Sequence, residues 1–125
     1  MEFDNNKSIF LQIADTLSEK VVEGEYRPGD KIPSVRELAG SLGVNPNTIM
    51  RTYNELQAEK IIENKRGVGY FVHADAPRII RERKRAAFYS KVLPEFLRQA
   101  GMLGISAADL KTHLEKLNIQ NHETE

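Results

Sequence analysis

A group of polar side chains follows an Asn45-Pro46 pair, and their types suit hydrogen bonding to the edges of bases. Asn followed by Pro marks a helix start, because the Asn side chain caps free amides and proline fits the first helical turn. Asn47, Thr48 and Arg51 lie in the first turns of that helix. Amide and hydroxyl groups donate and accept, and arginine can bind one base edge through two donors. This helix is therefore a candidate recognition helix.

A basic turn lies between two short apolar runs, Ile61-Ile62 and Tyr70-Phe71-Val72. Two such runs around a glycine-bearing turn predict a β-hairpin. Its tip carries Lys65, Arg66 and Gly67, which are two cations and a residue without a side chain. Such a tip can enter a minor groove or hold a phosphate backbone.

Ser34 and Glu37 have the spacing of a capping box, which predicts a short helix. Gly43 is suited to the left-handed position that ends a helix. Arg36 falls in the first turn, where an exposed cation could hold a phosphate. Because two residues separate this helix from the helix that starts at Asn45-Pro46, the chain must turn sharply between the two helices.

The remaining helices follow from apolar periodicity and from start and stop signals. The first runs from about Ser8, its expected cap, to Glu23, with apolar residues recurring every four positions. A long fourth helix begins after Asp75, is expected to kink at Pro94, and ends at the glycines that follow. A fifth helix has a second capping box, formed by Ser106 and Asp109.

Three helices, a sharp turn and a basic-tipped hairpin, in that order, are typical of a winged helix-turn-helix. The predicted fold class is therefore α+β, mainly α. The predicted domains are a winged helix-turn-helix domain over residues 1–75 and a two-helix dimerisation arm over residues 76–125, whose polar tail from Asn118 should fray.

Length and composition limit the other possibilities. The 125 residues are 40% hydrophobic and 29% charged, which predicts a folded, soluble chain. Cysteine is absent, and no apolar stretch approaches the roughly 18 residues of a membrane span. The first residues, Met1-Glu2-Phe3-Asp4, lack the pattern of a signal peptide, so we expect a cytoplasmic protein without membrane contact.

Catalysis and metal binding are not predicted. The three histidines, His73, His113 and His122, share no ligand spacing. No phosphate-binding loop, paired-carboxylate motif or nucleophile-base pattern is present. We expect no cofactor and no enzymatic activity.

Charge is balanced overall but uneven along the chain. Residues 1–75 carry nine basic and twelve acidic residues, whereas residues 76–125 carry nine and six. Net charge therefore does not indicate a nucleic-acid binder, and any such role depends on where the charges are placed locally.

A basic cluster at the start of the fourth helix has three interpretations: a solvated face, an extra phosphate contact, or an electrostatic brace to the acidic first domain. Its members are Arg78, Arg81, Arg83, Lys84 and Arg85.

Two helices on their own cannot bury the apolar side chains of the C-terminal region away from water, so we expect a partner to cover them. We predict a homodimer interface, with packing back onto the same chain's first domain as the alternative. The predicted interface residues are Phe88, Val92, Phe96, Leu97, Leu110, Leu114 and Leu117.

The ordered motifs over about residues 7–75 resemble those of the GntR-type bacterial transcription regulators. The matching stretches are Pro28-Gly29-Asp30-Lys31-Ile32-Pro33-Ser34-Val35-Arg36-Glu37-Leu38-Ala39, Leu42-Gly43-Val44-Asn45-Pro46-Asn47-Thr48, Leu56-Gln57-Ala58-Glu59-Lys60-Ile61-Ile62 and Gly67-Val68-Gly69-Tyr70-Phe71-Val72. The short C-terminal part, with its Leu103-Gly104-Ile105-Ser106 step, is similar to the YtrA subfamily. Many relatives carry arginine where this chain has Pro46 and Met50, so two usual DNA contacts are absent.

The resemblance implies a winged-helix reader that binds a palindromic operator as a homodimer. It assigns DNA contacts to Arg36, to the N-terminal residues of the recognition helix and to the wing tip. Together with the residues singled out above, the predicted DNA-binding set is Ser34, Arg36, Asn45, Asn47, Thr48, Arg51, Lys65, Arg66 and Gly67.

The leading hypothesis is a sequence-specific DNA-binding transcription regulator, acting as a repressor. The alternative is a winged-helix protein-interaction module without sequence-specific DNA binding. A small-molecule effector could sit at the dimer seam, and the sequence does not identify it.

Overall fold

The computed structural model describes residues 8–123, with side chains described for residues 8–118. The elements follow one another as α1 (Ile9–Val22), α2 (Val35–Leu42), α3 (Pro46–Ala58), β1 (Ile62–Lys65), β2 (Gly69–Val72), α4 (Ala76–Ala87), a π-helical turn (Phe88–Val92), α5 (Leu93–Met102) and α6 (Ala107–Glu123). They form two compact units, one reaching Lys84 and the other beginning at Arg85.

The core of the first unit is built by apolar side chains of α1 and α3. Ile13 and Leu17 of α1 are buried, as are Ile49, Tyr53 and Leu56 of α3. These positions recur at the three- and four-residue intervals that place side chains on one helix face. Full burial of each large apolar side chain stabilises the fold by about 1.5–3 kcal/mol. The opposite face of α3 is therefore free to carry polar groups.

The predicted turn between α2 and α3 is confirmed. Gly43 has φ +68°, and the Val44 amide donates to the Ala39 carbonyl at 3.1 Å. The Asn45 side chain then accepts from the Asn47 amide at 2.8 Å, with Pro46 in the first helical turn. Left-handed φ suits glycine because in other residues the Cβ would lie too close to the backbone carbonyl oxygen. Two residues thus suffice for the sharp turn between α2 and α3.

The predicted hairpin is present as an antiparallel pair, with Lys65 opposite Gly69 next to the tip. A bridge between Lys31 and Phe71 adds a third segment to this small sheet, which the sequence analysis did not predict. The Ile32 amide donates to the Tyr70 carbonyl at 2.9 Å and fixes that segment. Helices α1–α3 with this hairpin form a winged helix-turn-helix, so the predicted fold class is confirmed.

The first unit extends beyond the predicted boundary at residue 75. Ala76 and Ile80 of α4 are buried in its core. Ion pairs also tie α4 to this unit, with Arg83 at 2.7 Å from Glu59 and Lys84 at 3.9 Å from Glu19. The predicted arm over residues 76–125 includes Ile80, whose burial in this core was not expected. Apolar periodicity does not tell which neighbouring element an apolar face packs against.

The second unit begins with an irregular stretch of helix. The π-helical turn precedes Pro94, and the Leu93 amide donates to the Phe88 carbonyl, five residues back. Proline cannot donate and its ring crowds the carbonyl four residues earlier, so a widened turn is a common accommodation. The predicted irregularity at Pro94 thus takes the form of a wide turn just before it.

The other local signals of the second unit are met with one exception. Gly104 adopts φ +71° after α5, and Ser106 and Asp109 form the predicted capping box. Helix α6 continues to Glu123, where the sequence analysis expected a frayed tail from Asn118; residues 124 and 125 lie outside the described residues. No helix in the described part of the chain is long and apolar enough to cross a membrane.

The expected cap of the first helix is only half correct. Ser8 occupies the cap position of α1, but its side chain makes no capping hydrogen bond. Its backbone carbonyl accepts from the amides of Leu11 and Gln12 at 3.1 Å.

Candidate nucleic-acid interface

The exposed face of α3 carries most of the predicted recognition residues. Asn47, Arg51 and Asn54 are exposed, and Thr48 is half-buried at the edge of the face. These positions recur at three- and four-residue spacing, so they lie along one side of the helix. Ile49 and Tyr53, on the other side, are fully buried. Helix α3 therefore has one polar and one apolar face.

Asn45 has a structural task that limits its recognition role. Its Oδ1 accepts from the Asn47 amide at 2.8 Å, which caps α3. A carboxamide also carries an NH₂ group with two donors. Asn45 can therefore cap the helix and still donate to an outside partner.

Arg51 is positioned by an aromatic ring from α1. Its guanidinium carbon lies 4.1 Å from the centre of the Phe10 ring. On the same side of the helix pair, the Thr52 hydroxyl donates to the Phe10 carbonyl at 2.9 Å and ties the start of α1 to α3. Stacking occupies the face of a guanidinium and leaves the N–H edge donors available. The ring thus orients Arg51 without consuming its hydrogen-bonding edge.

The start of α2 is held by the predicted capping box. Ser34 Oγ accepts from the Glu37 amide at 3.1 Å, and Glu37 Oε1 accepts from the Ser34 amide at 3.1 Å. Hydrogen bonding to the Ser34 backbone amide, and then to its side chain, lowers the pKa of the Glu37 carboxyl. Arg36, in the first turn, is exposed and has no ion-pair partner within residues 8–118.

The two cations of the wing tip differ: Lys65 lies against an aromatic ring, whereas Arg66 has no ion-pair partner among the side chains that the structure describes. Lys65 Nζ lies 4.4 Å from the centre of the Phe71 ring, whereas Arg66 is exposed. Gly67 has φ +78°, and the Val68 amide donates to the Lys65 carbonyl at 2.8 Å. A tight turn of this kind fixes the direction in which Arg66 leaves the backbone. The sequence predicts the same role for Lys65 and Arg66, but the surroundings of the two side chains differ.

Several acidic residues of the first unit have local partners. Glu19 pairs with Lys84 at 3.9 Å, Glu25 with Lys20 at 3.7 Å and Glu59 with Arg83 at 2.7 Å. Burial raises the pKa of the Glu59 carboxyl, and the Arg83 guanidinium only partly opposes this shift. Part of the basic cluster on α4 therefore acts as the electrostatic brace that was one of its three interpretations.

The residues predicted for the dimer interface are apolar side chains of the second unit, and most of them are exposed. Phe88, Val92, Phe96, Leu97, Leu114 and Leu117 are 45–57% exposed, and Leu110 is half-buried. Between α5 and α6 lies a groove of about 380 Å³. Its lining includes Phe96, Leu97, Leu110 and Leu114.

Two exposed apolar residues of the first unit lie among the predicted DNA contacts without belonging to the predicted set. Met50 on α3 is 41% exposed and Val68 at the wing tip is 59% exposed. The spacing of α3 contained the signal for Met50, because it lies three residues after Asn47 on the same face.

Of the three histidines, His73 and His113 have described side chains, and the His122 side chain lies outside the described ones. His73 Nδ1 accepts from the Asp75 amide at 3.0 Å, which orders the turn before α4. Over the residues that the structure describes, no group of three or more His, Cys, Asp or Glu side chains could hold a metal ion.

Comparison with known proteins agrees with this architecture. Residues 10–72 match the family described as bacterial regulatory proteins, gntR family. The chain is 42% identical over 109 residues to the uncharacterized HTH-type transcriptional regulator YhcF of Bacillus subtilis, covering 87% of this chain and 88% of that protein. It is 39% identical over 110 residues to the HTH-type transcriptional repressor YtrA of Bacillus subtilis, covering 88% and 78%.

Solved structures give the same result over nearly the whole chain. A GntR family transcriptional regulator from Listeria monocytogenes superposes with a TM-score of 0.71 at 36% identity, covering 91% of this chain and 98% of that one. YtrA from Sulfolobus acidocaldarius, a GntR-family transcription factor, superposes with a TM-score of 0.55 at 28% identity, covering 96% and 97%.

A winged helix-turn-helix with a polar recognition helix and a cationic wing defines a DNA-binding transcription regulator. The chain belongs to the GntR family of bacterial regulatory proteins, and its relatives include YtrA-like members of that family. The resemblance found in the sequence is confirmed.

Proposed function

We propose that this chain is a repressor that binds a palindromic operator as a homodimer. The observation that carries the proposal is the exposed polar face of α3, with Asn47 and Arg51 beside a wing whose tip presents Arg66. The repressor role is supported by the 39% identity to a protein named as a transcriptional repressor. Its place of action would be the cytoplasm, where bacterial DNA is accessible.

The proposed DNA contacts divide into two kinds. Asn47, Thr48 and Arg51 carry the donors and acceptors that distinguish base pairs in the major groove. Arg36 and Arg66 are exposed cations without an ion-pair partner in the described part of the chain, which suits phosphate contact. Ser34, Asn45, Lys65 and Gly67 shape the two ends of this surface.

The homodimer is supported by the apolar surface of the second unit. Phe96, Leu97 and Leu114 are each about half exposed around the groove between α5 and α6. Leaving such side chains in water is unfavourable by about 25 cal/mol per Å² of apolar area. A second copy of the same surface, related by a two-fold axis, would cover it.

A two-fold dimer of winged domains implies an operator with two inverted half-sites. Their centres should be about one helical turn of DNA apart, roughly 34–36 Å, or a multiple of that distance.

The proposed dimer interface of the second unit is also the proposed position for a small-molecule effector, because its groove of about 380 Å³ is mainly apolar.

Selection of bound sequences from random double-stranded DNA tests the proposal. The expected product is an inverted repeat, enriched by the wild-type chain and lost with Arg36→Ala combined with Asn47→Ala. Repression is then measured with a reporter downstream of the selected operator. Failure to enrich any sequence at low salt would reject DNA recognition and favour the protein-interaction module.

A further inference from the structure

Met50 lies on the side of α3 proposed to face the bases, between the levels of Asn47 and Asn54 along the helix. It follows Asn47 by three residues and precedes Asn54 by four, so the three side chains lie along one side of α3. Met50 is 41% exposed, and Asn47 and Asn54 on either side of it along the helix are exposed as well. An apolar side chain thus interrupts a row of hydrogen-bonding groups.

Packing does not account for a methionine at this position. Ile49, Tyr53 and Leu56 fill the interface between α3 and the core, and each is completely buried. Met50 lies about 100° around the helix from Ile49, beyond the edge of that packed face. Its exposed thioether is therefore available to a partner.

The chemistry of the major groove restricts what an apolar side chain can recognise there. Guanine, cytosine and adenine present acceptors and amino donors, whereas thymine adds a C5-methyl group. A flexible, polarisable thioether packs well against a methyl group but cannot satisfy the polar edges. We infer that Met50 contacts the methyl group of one thymine in each half-site and sets a preference for thymine at that position.

This inference rests on the proposed function, because it requires the exposed side of α3 to enter the major groove. It goes further by assigning one base identity to one side chain. Arg51 is next in sequence, but stacking on Phe10 at 4.1 Å directs it to the flank of α3 nearest α1. Met50 therefore does not share its base with that guanidinium.

Removing single methyl groups from the DNA tests the inference directly. Each thymine of the selected operator is replaced in turn by deoxyuridine, which keeps every hydrogen-bonding group and lacks only the methyl. We expect one position in each half-site where the replacement weakens binding by the wild-type chain about fourfold, the value of one buried methyl-sized group. With Met50→Ala, the same replacement should have no effect.

Matched variants separate this contact from a general loss of binding. Asn54→Ala, one turn further along the same face, should retain the methyl dependence even if its overall affinity falls. Equal unfolding midpoints for wild type and Met50→Ala would show that the fold is intact, as the exposure of Met50 predicts.

The results that would overturn the inference are distinct from failure of the proposed function. If no thymine shows a methyl effect, or if Met50→Ala keeps the same effect, Met50 does not read that group. If the wild-type chain selects no sequence at all, the proposed function is wrong and the inference is wrong with it.

Discussion

The hydroxyl of Tyr53 donates a hydrogen bond to the backbone carbonyl of Pro33 over 2.6 Å. Tyr53 belongs to α3, whereas Pro33 immediately precedes the cap of α2, so the bond joins the recognition helix to the helix that carries Arg36. Burial raises the pKa of the Tyr53 hydroxyl, which remains a donor at physiological pH.

Tyr53→Phe should lower the free energy of unfolding by about 1–2 kcal/mol, because the Pro33 carbonyl loses its donor while the ring contacts remain. The edge contact between the rings of Tyr53 and Tyr70, whose centres lie 4.7 Å apart, needs no hydroxyl. Urea unfolding measures the change, with Tyr89→Phe on an exposed tyrosine as the control. Equal effects of the two substitutions would contradict the assignment.

Arg36→Ala should weaken operator binding by roughly 1–3 kcal/mol, the size of one good charge-assisted contact. Arg27→Ala is the matched control, because Arg27 is exposed in the turn at the base of the hairpin, away from its tip. Titration of labelled operator gives both values. An unchanged affinity for Arg36→Ala would remove this residue from the interface.

Arg66→Ala should weaken binding to all sequences by a similar factor, because a phosphate contact carries no base information. The slope of log affinity against log salt should fall by about one. Arg66→Lys keeps the charge and should keep the slope. A change confined to one operator sequence would instead indicate that Arg66 reads a base.

Leu114→Asp should dissociate the proposed dimer, because an unpaired carboxylate cannot be buried in an apolar seam without a large cost. Lys116→Asp adds the same carboxylate two residues later, about 200° around α6, and should leave the dimer intact. Light scattering at several concentrations distinguishes the outcomes. A Leu114→Asp chain that remains dimeric would place the seam elsewhere.

The pKa of the Glu37 carboxyl is held below its ordinary value of about 4.5 by the capping hydrogen bonds. A carboxyl with a lowered pKa in the folded state stabilises the protein above its unfolded-state pKa, and this contribution is lost as pH falls through the folded-state pKa. Glu37→Gln should therefore destabilise the chain at pH 7, and the difference from wild type should shrink below about pH 4.5.

Urea unfolding across this pH range measures that difference. Glu63→Gln serves as the control, because Glu63 is an exposed carboxylate on β1 with no hydrogen-bond partner among residues 8–118. A difference for Glu37→Gln that stayed constant down to pH 3 would mean that its charge does not support α2.

Local signals in the sequence were sufficient for most of the fold. The two capping boxes, at Ser34 and Ser106, depend on residues three apart, and the Asn45-Pro46 start depends on neighbours. Such short-range chemistry is visible in the sequence itself. The faces of α3 also followed from the helical repeat alone.

Contacts between distant residues could not be predicted in the same way. Stacking of Arg51 on Phe10, the ion pair of Arg83 with Glu59 and the burial of Ile80 all join segments far apart in the chain. Each depends on how elements pack, which periodicity does not specify. Among these contacts, the stacking on Phe10 involves a residue of the candidate site and orients the Arg51 side chain.

The connection between α2 and the Asn45 cap of α3 consists of Gly43 and Val44 alone. A hydrogen bond from Tyr53 of α3 to Pro33, just before α2, is a second link between the two helices. A change in the angle between these helices would disturb both a part-buried hydrogen bond and a left-handed turn. If the chain binds an operator as proposed, we therefore expect the angle between α2 and α3 to be the same in the free and the bound domain. A regulatory signal would have to shift the helix pair as a block or mask its surface.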